Sequence, residues 1–174
     1  MAVIEAIRTD YLEADTGYIQ WTSLPQTYEH LQIRATLQDG NATNSAGNFS
    51  LAVYVNNDNN TPSYTKGWMR GSNTTELGAA HAASNEFGFF GADPDIPFYG
   101  TFVIDILDYT NPNKLTTISA INGYNGTVPM VAFTSGVWHN GADKSAVDEI
   151  MLVSFATSNF LRGGCATLYG LNSS

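Results

Sequence analysis

The chain has 174 residues, of which 43% are hydrophobic and only 13% charged, and its net charge is −9. That length suits one domain whose core closes without a metal or disulfide staple, and the single Cys165 leaves no internal disulfide to form. The seven basic residues are scattered from Arg8 to Arg162, which excludes the clustered cations that nucleic acid requires.

Residues 1–16 place Val3, Ile4, Ile7 and Leu12 at spacings open to a short helix face or an irregular strand. They read as an N-terminal arm or edge strand ahead of a single domain over 17–174. No basic segment followed by an apolar run opens the chain, so no secretion signal is expected there. No apolar stretch reaches the roughly 18 residues of a membrane-spanning helix, and no membrane partner is expected. A lone cysteine fits synthesis in a reducing cytosol.

Tyr18–Leu24 reads as a strand that Pro25 ends. Tyr28–Leu37 alternates, with Leu31, Ile33, Ala35 and Leu37 on one face and His30, Gln32, Arg34 and Thr36 on the other. Residues 39–48 are a loop of turn formers. Phe49–Val55 alternates again, setting Phe49, Leu51, Val53 and Val55 inward. The following Asn56–Asn60 lacks the spaced acids and glycine of a calcium loop and reads as a hairpin tip. Tyr64–Arg70 is a strand with Tyr64, Lys66 and Trp68 on one face. Residues 71–98 form a long irregular excursion. Its TELGAAHAA segment favours a turn or two of helix, and Glu86–Phe90 a short strand.

Tyr99–Asn113 holds the longest strand signal. Phe102, Ile104 and Ile106 share one face; Val103, Asp105 and Leu107 share the other. Apolar residues on both faces mark a central strand, or one whose outer face meets another surface. Lys114–Tyr124, closed by the turn pair Asn125-Gly126, then Val128–Trp138, Val147–Phe155 and Cys165–Leu171 complete the set. Nine or ten strands with turns between them predict an all-β, antiparallel β-sandwich of jelly-roll type.

Chemistry is sparse. His30, His81 and His139 have no metal-ligand spacing, and no Gly-x-Ser-x-Gly turn is present. Cys165 sits in a strand signal as a small, mostly buried residue. Asp93 with Asp95, Asp105 with Asp108, and Asp148 with Glu149 read as solvated or turn-capping carboxylates. Trp21, Trp68 and Trp138 suit either a sugar-stacking platform or a sandwich core. No catalytic, cofactor-binding or metal-binding residue is expected, nor an enzyme. The candidate interface residues are the outward-facing Arg34, Val103, Asp105 and Leu107, together with Trp68.

Four patches, taken in order, resemble a known family. They are Ile19–Leu31 (IQWTSLPQTYEHL), Phe102–Lys114 (FVIDILDYTNPNK), Gly136–Asn140 (GVWHN) and Ala166–Leu171 (ATLYGL). Together they resemble a family of small tailed-bacteriophage virion proteins, found as capsid decoration (cement) proteins and as domains on tail or fibre components. The resemblance implies a jelly-roll structural protein on the virion's outer capsid surface, made in the host bacterial cytoplasm. It implies the major capsid protein as partner and carries no catalytic residues or cofactors. A homo-oligomer is expected, a trimer suiting local three-fold positions. A receptor- or glycan-binding domain of a tail or fibre tip is the alternative.

Overall fold

The computed structural model describes residues 3–40, 48–72, 75–91, 99–124, 129–139, 145–155 and 158–172. Loop residues 41–47, the Asn125-Gly126 turn, Asp93, Asp95, the turn at 140–144 and the Phe49 side chain fall outside this description. Among the described residues, twelve strands form two antiparallel sheets. The eight-stranded sheet contains β1 (Val3–Tyr11), β3 (His30–Leu37), β5 (Tyr64–Ser72), β6 (Thr75–His81), β8 (Gly100–Leu107), β9 (Thr116–Tyr124), β10 (Met130–Trp138) and β12 (Cys165–Asn172), in the order β1-β12-β3-β8-β9-β10-β5-β6. The four-stranded sheet contains β2 (Tyr18–Thr22), β4 (Asn48–Val55), β7 (Glu86–Gly91) and β11 (Glu149–Ser154), in the order β2-β11-β4-β7.

Two hairpins, β5–β6 and β9–β10, account for the unequal sheets. Without them the order reduces to β1-β12-β3-β8 facing β2-β11-β4-β7, the interleaved arrangement of an eight-stranded jelly roll. The hairpins lie side by side and extend the first sheet as a four-stranded wing.

The core lies between the sheets and follows the alternation in the sequence. Leu31, Ile33, Ala35 and Leu37 of β3, Phe102, Ile104 and Ile106 of β8, and Leu51, Val53 and Val55 of β4 are all buried. Burying side chains of this size contributes about 1.5–3 kcal/mol each before ordering costs are set against it. Two tryptophans belong to this core, and each indole N–H has a carboxylate partner. Trp21 Nε1 donates to Asp10 Oδ2 at 2.7 Å and Trp138 Nε1 to Asp58 Oδ2 at 2.9 Å.

The structure departs from the sequence expectations in two places. Thr75–His81, expected as helical turns, is strand β6, paired with β5 at every position from Ser72↔Thr75 to Lys66↔His81. Helix propensity differs by only tenths of a kcal/mol per residue, and a ready-made edge outweighs it. This strand and β1 carry the count beyond nine or ten. The Asn56–Asn60 segment is not a hairpin tip, because β4 and β5 lie in different sheets. It is a crossover in which Asn56 and Asp58 turn inward while Asn57, Asn59 and Asn60 are exposed. Asn56 Oδ1 accepts the Asp148 and Glu149 N–H groups at 2.9 and 3.2 Å, and Asp58 Oδ1 accepts the Asn60 N–H at 2.9 Å. Tyr64 Oη accepts the Val55 N–H at 2.9 Å and donates to the Asp58 carbonyl at 2.8 Å. Asn56 and Asn57 adopt φ of 50° and 56°, a conformation that asparagine tolerates better than most residues.

Lys66 is buried on the inner face of β5, where its ammonium meets the Glu86 carbonyl and lies 3.5 Å from the Glu86 carboxylate. Burial pushes its pKa below the ordinary 10.5, while Glu86 pulls in the opposite direction. In the window just below 10.5 the unfolded chain therefore holds a proton that the folded chain has begun to release, so this residue's contribution to stability rises with pH there. Denaturant titrations of wild type and Lys66→Met at pH 8, 9 and 10 should show the difference shifting in wild type's favour as pH approaches 10.5. A constant difference would mean that Lys66 does not titrate as described.

Candidate functional site

The outer face of the eight-stranded sheet is uncovered. Side chains directly opposed across antiparallel strands point the same way, so the pairing register defines which residues share a row. One row runs Arg34–Val103–Ile121–Phe133–Met69–Gly78, crossing β3, β8, β9, β10, β5 and β6 in turn. Val103, Ile121, Phe133 and Met69 are exposed, and Val131 of β10 adds to them from the next row. Ile121, Met69 and Val131 leave 61%, 63% and 66% of their surface to solvent. The four wing residues line a shallow groove of about 630 Å³ together with the Gly71 and Gly78 positions. An apolar row that is contiguous over four strands differs from the scattered surface hydrophobics that every protein carries.

A polar strip flanks the row. Arg34 Nε donates to Gln32 Oε1 at 2.8 Å, and Gln32 Nε2 donates to Asp105 Oδ1 at 2.8 Å. The Arg34 guanidinium lies 5.3 Å from the centre of the Tyr169 ring. The strip is prearranged, so a partner meeting it orders few side chains on this protein.

Four of the five expected interface residues thus share this face. Val103 heads the apolar row, Leu107 is exposed farther along β8, and Arg34 and Asp105 are joined through Gln32. Trp68 is on the opposite face. It is half-buried, packs edge-on against Phe89 with ring centres 5.6 Å apart, stacks on His81 at 6.4 Å, and carries the Arg70 guanidinium at 5.2 Å. It lies where the wing projects past the smaller sheet, whereas Trp21 and Trp138 are core residues, so the three do not form one platform. Met69, Ile121, Val131 and Phe133 did not emerge from the sequence alone. Their signal is the one that marked Val103: an apolar side chain on each face of the same strand.

No convergent chemistry accompanies the row. The three histidines stay apart. His30 Nδ1 accepts the Asp108 N–H at 3.0 Å, His81 stacks on Trp68, and the His139 backbone N–H bonds the Ser63 carbonyl. Among the described residues no group of three His, Cys, Asp or Glu side chains is placed to hold a metal ion. Asp39 is buried and accepts hydrogen bonds from the Ser154 and Ser158 hydroxyls, an arrangement that ties β11 to the second residue after β3. Glu149 accepts from Gln20 Nε2 at 2.7 Å between β11 and β2, a structural role. No family model matches the chain, and comparison with curated proteins and with solved structures gives no match either.

Proposed function

We propose that the chain is a bacteriophage virion structural protein, a capsid decoration protein that seats the outer face of its eight-stranded sheet on the assembled shell. The observation that carries this is the exposed apolar row Val103–Ile121–Phe133–Met69, contiguous across β8, β9, β10 and β5 and flanked by the hydrogen-bonded strip Arg34–Gln32–Asp105. The four sequence patches that resemble tailed-phage virion proteins support the same reading. Its partner is the major capsid protein. Binding the assembled lattice in preference to dissociated subunits stabilises the shell by mass action, with no reaction required.

The test is copy number in purified particles, paired with an attachment assay. Wild type should be present at about one copy, or one trimer's share, per local lattice position. Ile121→Asp with Phe133→Asp should lower attachment at least about tenfold, because desolvating two carboxylates opposes docking. The two carboxylates oppose one another across β9 and β10 and repel, so the single Ile121→Asp is tested beside the pair; it should keep the wild-type melt and still lose attachment. A chain absent from the particle overturns the proposal.

A receptor- or glycan-binding tail tip is the second reading, and the half-exposed Trp68 stacked with His81 favours it. It requires a handful of copies per particle and loss of host adsorption in Trp68→Ala.

A further inference from the structure

The two sheets have four edges, and three of them are guarded. β1 carries a register shift between Ala6 and Arg8 along with the charged Glu5, Arg8 and Asp10. β2 has only five residues. β7 is occupied by Asn122 of β9, whose Nδ2 donates to the Phe89 carbonyl at 2.7 Å and whose Oδ1 accepts the Phe89 N–H at 3.3 Å. β6 has one charge, Glu76, and none of the other devices. All seven of its residues are exposed, its ladder to β5 has no shift, and it contains neither proline nor lysine. Bulges, charges, short strands and covering groups are the usual protection against edge pairing, so a seven-residue edge with a single carboxylate as its guard is suited to receive a strand that places no acid opposite that carboxylate.

We propose that β6 pairs antiparallel with β6 of a second copy, about a two-fold axis through Gly78. The strand's own sequence selects that occupant. Centred on Gly78, the register sets Leu77 opposite the partner's Ala79, Glu76 opposite the partner's Ala80 and Thr75 opposite the partner's His81. No like charges face one another, although each copy carries a net charge of −9. Head-to-tail pairing of β6 with β1 would meet the register shift at Ala6/Arg8. Opposed residues in an antiparallel pair share a face, so the axis is perpendicular to the sheet. The result is one sixteen-stranded sheet in which both apolar rows lie on the same side. This contact goes beyond the virion reading and is measured in solution, so its failure is separable from a failure of shell attachment.

Sedimentation equilibrium of the full chain, Ala80→Asp and Ala80→Lys tests it. Wild type should be a dimer at concentrations on the order of 10 μM. Ala80→Asp sets a second carboxylate opposite the partner's Glu76, twice per dimer, and should weaken association roughly tenfold. Ala80→Lys sets a cation there and should associate at least as tightly as wild type. Matching thermal melts would show that both variants keep the fold, since Ala80 is exposed. A wild-type monomer, a trimer, which this two-fold contact cannot close, or equal dimerisation of wild type and Ala80→Asp would each overturn the proposal.

Discussion

Gly136→Ala should lower the melting temperature by about 10 °C, corresponding to roughly 3–5 kcal/mol in a chain of this size. Gly136 faces Lys66 across β10 and β5, and a methyl group there would lie 2.2 Å from the Thr65 carbonyl oxygen and 2.9 Å from Lys66 Cα. These are backbone atoms of the neighbouring strand, so no rotamer change relieves the overlap. The two strands must part at the seam where the β5–β6 hairpin joins the β9–β10 hairpin. Gly71→Ala is the control, because the nearest atom to its added methyl is a valine methyl 4.0 Å away. It should melt within about 2 °C of wild type, because the added methyl meets nothing closer than ordinary van der Waals contact. Equal melting of the two variants would mean that β10 and β5 are not this close.

Asn122→Leu should cost about 3 kcal/mol and release β7 specifically. Asn122 is buried on the inner face of β9 and presents an amide to the Phe89 backbone in the manner of a missing neighbouring strand. Leucine keeps most of the volume but leaves a buried N–H and a buried C=O without partners, at roughly 1–3 kcal/mol for each. Hydrogen exchange at the Phe89 amide should accelerate more than at Leu152 or Ile33, which lie in ladders that do not include Asn122. Uniform acceleration across all three would show global destabilisation and no local clamp.

Much of the fold was legible in the sequence, for an identifiable reason. β3, β4 and β8 each line the core on one face, and a half-buried strand writes that asymmetry as alternation. β6 was not legible because both of its faces are exposed, so burial imposes no period on it and Ala and Leu suggest helix instead. The crossover at Asn56–Asn60 was hidden because the turn residues that close a hairpin also close a passage between sheets. The site was half legible. Val103 and Leu107 stood out because β8 is apolar on both sides. Ile121, Phe133 and Met69 become one row with Val103 only when register sets β9, β10 and β5 beside β8. For Trp68, alternation correctly grouped it with Tyr64 and Lys66, but periodicity does not say which face of a strand is inward.

The position of β12 bears on how the protein is made. It is the last strand of the described chain, yet it lies within the large sheet, between β1 and β3. While residues 165–172 are still inside the ribosome, β1 has no neighbour to hydrogen-bond and β3 keeps one side unfilled. The emerging polypeptide must therefore hold an open slot between β1 and β3 until residues 165–172 arrive, and the β1–β12 ladder then joins segments separated by more than 150 residues. Until then the facing edges of β1 and β3 stay unpaired, the feature that makes an incomplete chain prone to aggregate.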